Sequence, residues 1–228
     1  MVHHIPVSSI FFQIEFDGRA RILRLTSPDR TNRLTRACVL ALTAAIAELK
    51  DELTKQIRPL IIAGNQQFFS VGADLNEVAP LTGPETYEFS AMGQALMNTI
   101  VSYPAPVIAV IEGHCMGGGL DLALACHRRI AAPDAVFGHR GAALGLMTGW
   151  GGTQRLPRLI GKGRALELFI SAEKITAVRA LEIGLVDAIS DDVLDEALRQ
   201  CFSEPSQAHI MRKSRQSNRP DDSIISSF

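Results

Sequence analysis

Two short glycine-marked stretches hold the residue types from which a reaction site can be built. The second, Ile111-Glu-Gly-His-Cys-Met-Gly117-Gly118-Gly119-Leu120-Asp121, sets three glycines ahead of an apolar run that contains one carboxylate. Glycines leave no Cβ between backbone and ligand. A loop that opens a helix also turns unpaired N–H groups, and the positive end of the helix dipole, toward whatever binds there. That combination suits an anion or an oxygen that is gaining charge. Asp121 falls in the first turn of the expected helix, a position that favours a carboxylate and fits a base or a water-orienting group. The first stretch, Gly64-Asn-Gln-Gln-Phe-Phe-Ser-Val-Gly72-Ala73-Asp74-Leu75, is the other candidate loop. Taken alone, a glycine run also serves as a plain structural turn. No Lys-Ser or Lys-Thr follows to make a phosphate-binding P-loop, and the G-x-G-x-x-G spacing of a dinucleotide site is missing.

The elements that must position these loops are legible in outline. Phe11 to Leu25 reads as a hairpin: Phe12, Ile14 and Phe16 alternate with polar neighbours, Asp17-Gly18 supplies the turn, and Ile22, Leu23 and Leu25 resume the pattern. Thr35 is placed to cap a helix with apolar residues at Val39, Leu40, Leu42, Ile46 and Leu49. Pro59 to Ala63 and Pro106 to Ile111 read as short buried strands ending at Gly64 and Gly113, with a helix over 83–103 between them. Leu120 to Cys126 is apolar nearly all round, as expected of a helix buried on every side. A strand over 129–132 and helices over 153–160, 164–171, 176–181 and 192–201 complete the pattern. Strand–loop–helix units of this kind predict an α/β fold in which the two glycine loops leave consecutive buried strands, the usual place for a ligand.

Bulk properties exclude several classes. A chain of 228 residues, 46% hydrophobic and 21% charged, fits one globular domain. Its formal net charge of −1 gives no reason to expect nucleic acid or an anionic membrane as partner. The longest apolar stretches, such as Val107 to Ile111, are too short to cross a bilayer, and the first ten residues lack the regions of a secretory signal. Cys38, Cys115, Cys126 and Cys201 form no CxxC pair and no metal-finger spacing, so no metal is expected, and scattered thiols fit a cytoplasmic location. Residues 1–190 are expected to form the core and 191–228 a short C-terminal helix and polar tail, partly disordered or lying against another subunit.

Together the two glycine stretches resemble the crotonase, or enoyl-CoA hydratase/isomerase, superfamily. The resemblance continues through Ala135-Val136-Phe137-Gly138, Leu144-Gly145-Leu146 and Gly151-Gly152-Thr153-Gln154-Arg155-Leu156. It ends at Ala180-Leu181-Glu182-Ile183-Gly184-Leu185-Val186-Asp187 and so covers about Phe11 to Ile189. It implies a crotonase-like spiral of ββα units with a shortened C-terminal helical region, a homotrimer or hexamer, and an acyl-CoA thioester. Coenzyme A would then arrive as part of the substrate, with no separate cofactor. The resemblance puts the two oxyanion-hole amides on Ala73 and Gly118, beside Gly117, and runs the adenine end of CoA along Ala73-Asp74-Leu75-Asn76. Asn76 stands where the family carries a basic residue, which removes one phosphate contact. A looser likeness over Ser27 to Leu34 assigns CoA contacts to Arg30 and Asn32.

The chain also departs from that family. The first of two catalytic glutamates falls on Asp121, one methylene shorter; the second falls on Gly141, where no carboxylate stands. Two-glutamate hydration therefore lacks half of its proton inventory. His139 is a substitute acid or base near neutral pH, although loop histidines commonly serve no catalytic purpose. Thr148 and Trp150 lie in the loop where divergent relatives keep alternative groups, and Trp150 reads as a wall of an acyl pocket. His114 and Cys115 read as packing. Arg212, Lys213 and Arg215 read as a solvated basic segment. Three functions remain open: a hydratase or isomerase of fatty-acyl metabolism, a one-base decarboxylase or hydrolase, and a catalytically silent acyl-CoA binder.

Overall fold

Asp17 makes the first turn. Its carboxylate accepts the N–H groups of Arg19 and Ala20, both at 2.8 Å. The strand β1 (Phe12–Phe16) therefore returns antiparallel as β2 (Arg21–Leu25), with Phe12 opposite Leu25. The computed structural model describes residues 9–52 and 58–202. The expectations for the chain start and for the polar segment after 202, including Arg212, Lys213 and Arg215, lie outside the described residues.

After the hairpin come β3 (Arg33–Leu34), α1 (Arg36–Glu52), β4 (Leu60–Ala63), β5 (Phe68–Ser70), β6 (Gly72–Ala73), α2 (Leu75–Val78) and α3 (Gly83–Val101). The middle holds β7 (Val107–Ile111), β8 (His114–Met116), α4 (Gly118–Ala125), β9 (Arg128–Ala131), β10 (Val136–Gly138) and a 3-10 turn at Ala142–Leu144. Then follow α5 (Gly152–Ile160), α6 (Lys162–Ser171), β11 (Ile175–Thr176), α7 (Ala177–Glu182), β12 (Ala188–Ile189) and α8 (Val193–Cys201). Thr35 accepts the Cys38 N–H at 3.2 Å, starting α1 where the sequence places it.

A six-stranded sheet runs β1-β2-β4-β7-β9-β12, parallel except for the opening hairpin. A second sheet runs β11-β10-β8-β5. Three times the chain leaves a strand of the large sheet, adds a strand to the small one and continues into helix: β4 to β5, β7 to β8 and α4, β9 to β10 and α5. This is the α/β fold that the sequence predicts, wound as the spiral of ββα units that the resemblance implies.

Every residue of β4 and β7 is buried, because both faces of the large sheet are covered. Alternation sorts them. Leu60 and Ile62, with Val107, Ala109 and Ile111, join the main core with α1, α3 and α4. Ile61 and Ala63, with Ile108 and Val110, join a second core closed by Val193, Ala197, Leu198 and Cys201 of α8. Residues 193–201 thus pack on one face of the large sheet. Buried Arg129 ties β9 to the segment after α7 through Asp187 Oδ2 (2.9 Å), Leu185 O (2.7 Å) and, locally, Cys126 O (3.0 Å). Such a fully partnered guanidinium is tolerated in a core. Among the described residues no helix is long and apolar enough to cross a membrane.

Candidate active site

Glycines bring the two loops into contact. A Cβ added to Gly72 would stand 2.7 Å from Gly118 N and 2.8 Å from Met116 O. One added to Gly118 would lie 3.3 Å from Ala73 N. No side chain fits between the end of β6 and the start of α4, so the Ala73 and Gly118 backbones are neighbours. Gly118 opens α4, and its N–H has no carbonyl acceptor within that helix.

Asp121 follows one turn later and is 1% exposed. Its Oδ1 lies 3.1 Å from His139 Nε2, and its Oδ2 accepts the Thr148 hydroxyl. The histidine arrives by strand register. β10 pairs with β8 so that Gly138 stands opposite Met116, and Gly117 N donates to Gly138 O at 2.9 Å. The next residue, His139, therefore sits beside the start of α4, its ring packed on Phe169 at 5.2 Å between centroids. The first residue of α5 presses on the same pair: a Cβ on Gly152 would meet Asp121 Oδ1 at 2.1 Å and His139 Nε2 at 3.0 Å. Burial lowers the pKa of nearby Arg155, while the Asp121 charge works to raise it.

Gly141 leaves no room for a carboxylate. Leu144 N and Leu146 N both donate to Gly141 O at 2.8 Å, and a Cβ there would meet Leu146 O at 2.7 Å.

A cavity of about 790 Å³ brings together Ala73, Gly117, Gly118, Asp121, His139 and Trp150, with Asp74, Leu75 and Asn76 along its rim. Asp74 accepts the Asn76 N–H at 3.0 Å, capping α2, and lies 3.7 Å from Arg33 Nη1. Of the stretch from Ser27 to Leu34, Arg33 lines the cavity, while Arg30 and Asn32 lie outside that lining. Asn32, 3% exposed, turns its side-chain amide inward to Phe68 O (2.8 Å) and Phe69 O (3.2 Å), and its own carbonyl accepts the Ser70 hydroxyl at 2.7 Å. Arg30 and Asn32 both hold positive φ (61° and 53°), so this segment is a shaped latch on β5. His114 also lines the cavity, its ring 5.5 Å from Phe68. Sequence reasoning missed Arg33, Arg140 and Lys174, the cations of the lining, and Phe89 and Ser90 from α3. No spacing rule announces residues that meet only through tertiary packing.

The chain matches the family model described as Enoyl-CoA hydratase/isomerase over residues 18–219, and it belongs to that family. It is 46% identical over 156 residues to a probable enoyl-CoA hydratase of Bacillus subtilis (strain 168), an alignment covering 66% of this chain and 60% of that relative. It is 37% identical over 177 residues to a crotonyl-CoA hydratase of Syntrophomonas wolfei subsp. wolfei, covering 77% of this chain and 67% of the relative. The enoyl-CoA hydratase crystal structure from Thermoplasma volcanium GSS1 aligns with a TM-score of 0.81 at 30% identity, over 92% of this chain and 85% of that one.

Proposed function

We propose that this chain is an acyl-CoA enzyme of the hydratase or isomerase kind. It stabilises a thioester enolate between the Ala73 and Gly118 amides and handles a proton or water with Asp121, backed by His139. Removing a proton beside a thioester carbonyl, or adding a nucleophile to its conjugated alkene, places negative charge on the carbonyl oxygen. Fixed backbone donors favour that charged oxygen over the neutral one, and a single such donor is typically worth about 3–4 kcal/mol. The observation that carries the reading is the close approach of Ala73 N to Gly118 in a cavity that also holds the Asp121–His139 pair. The same reading takes the chain to be cytoplasmic and to assemble as a homotrimer or hexamer. Hydration of crotonyl-CoA, followed as loss of the conjugated thioester, should fall on the order of 100-fold or more in Asp121→Ala. A rate for the unsubstituted protein no higher than that of the variant would remove the assignment.

The closed backbone at Gly141 favours a second reading within the same site. Among the described residues the carboxylates lining the cavity are Asp74 and Asp121, and Asp74 is engaged in capping α2. One buried carboxylate suffices for double-bond migration or decarboxylation through an enolate, or for thioester hydrolysis, in which water adds to the carbonyl, the same oxygen carries the charge of a tetrahedral intermediate and the CoA thiolate leaves. In a panel of thioesters, activity kept in His139→Ala and lost in Asp121→Asn supports a single-base reaction.

A further inference from the structure

Trp150 is the single tryptophan of the chain, and at 3% exposure it is a wedge more than an open wall. Its Nε1 donates to Phe89 O at 3.2 Å, and its ring lies 5.3 Å from the Phe89 ring. Its own carbonyl accepts Arg155 Nη1 at 3.1 Å, and the preceding Gly149 O accepts the Gln94 amide at 2.7 Å. Two glycines make the room. A Cβ on Gly93 would stand 2.1–2.4 Å from indole atoms, and one on Gly118 would stand 2.5 Å from Cζ3 and 2.8 Å from Cε3. Glycine is disfavoured inside a helix such as α3, so this one has a packing reason.

The indole therefore fills the gap between α3 and α4, one edge against α3 and the other against the residue whose amide is assigned to the thioester oxygen. We infer that Trp150 is the plug of the acyl subsite. It restricts the chain to short acyl thioesters, and its size sets the length limit. This inference rests on the acyl-thioester reading above. A carbonyl held at Gly118 brings its first acyl carbons to the indole edge, where Phe89 packs on the indole, and Leu81 and Val78 add apolar surface to the same cavity. A longer acyl chain must displace a side chain pinned at several points or turn outward. A smaller residue at 150 instead lets further methylenes bury themselves, each worth roughly fourfold in affinity.

The test compares dissociation constants of butyryl-CoA and decanoyl-CoA, by calorimetry, for the unsubstituted protein, Trp150→Phe and Trp150→Leu. Trp150→Leu opens space for on the order of two methylenes, so the preference for decanoyl-CoA over butyryl-CoA should rise roughly tenfold, with Trp150→Phe between. In the unsubstituted protein the emission of this sole indole should change as butyryl-CoA saturates it. An unchanged preference in the folded variants overturns the inference. If Trp150→Leu does not fold, Trp150→Phe and the emission decide, and an indole blind to bound butyryl-CoA overturns it equally. Failure of the unsubstituted protein to bind either thioester is a different result, and defeats the acyl-thioester reading beneath it.

Discussion

Both oxygens of Asp121 are engaged, one by His139 and one by Thr148, so the direction in which this carboxylate presents itself is set by its neighbours. Gly152 is the tightest of them. A methyl group there would overlap Asp121 Oδ1, and relief requires the pair to part. Gly152→Ala should lower kcat on the order of 100-fold with little change in KM, while overpacking of about 1–3 kcal/mol lowers the melting temperature by several degrees. An alanine variant with full kcat would show that the spacing of the pair is immaterial. Asp121 was visible in the sequence because a glycine run and a helix start frame it. Its contact with His139 was not, since the two stand 18 residues apart and meet only through the β8–β10 register. Thr148 was placed in the right loop by the family resemblance, but its bond to Asp121 had no sequence signal, for a threonine in a loop has many uses. The likeness over Ser27 to Leu34 did not show that Asp29 also ties this stretch into a turn.

At the scale of elements, that turn makes a measurable contribution. Asp29 accepts the Ser27 hydroxyl (2.6 Å), the Thr31 hydroxyl (2.7 Å) and the Thr31 N–H (3.1 Å). The Ser27 hydroxyl first, then that of Thr31, draws its pKa down to about 2. The folded value lies below the unfolded one, so the contribution is fully present above roughly pH 4 and is lost as pH falls toward about 2. Asp29→Asn should therefore melt below the unsubstituted protein at neutral pH, and the gap should narrow on acidification. A gap that stays constant from about pH 5 to pH 2 would place the stabilisation elsewhere. The hairpin and the main helices were legible because Asp17-Gly18, Thr35 and long periodic stretches announce them. The strands β3, β5, β6, β8, β10, β11 and β12 were not, since two or three residues show no period. The register shift between Phe68 and Ser70 is likewise a product of pairing.

Across the whole molecule, the large sheet separates two cores, and the alternation within β4 and β7 feeds both. An unbroken apolar run reveals burial but not which of two faces each residue serves, so the packing of α8 on one face of the large sheet was not legible in advance. The same burial governs the thiols. Burial pushes the Cys38 and Cys126 thiols up to about 12 and Cys201 to about 11, and it raises Cys115 well above the usual thiol range. The four should react with a disulfide reagent on the order of 100-fold or more slowly than an open thiol in the native protein, and at ordinary rates once it is denatured. Rapid labelling of any one of them under native conditions would contradict this packing.

Gly93 and Trp150 form a pair whose members can change only in a certain order. While the indole is in place, a methyl group at Gly93 has nowhere to go. Once the indole is replaced by something small, the three atoms nearest that methyl group are gone. Gly118 gains no such freedom, because Ala73 N stands 3.3 Å from its added Cβ whatever residue 150 is. A lineage moving from this arrangement toward another must therefore shrink residue 150 before it enlarges residue 93.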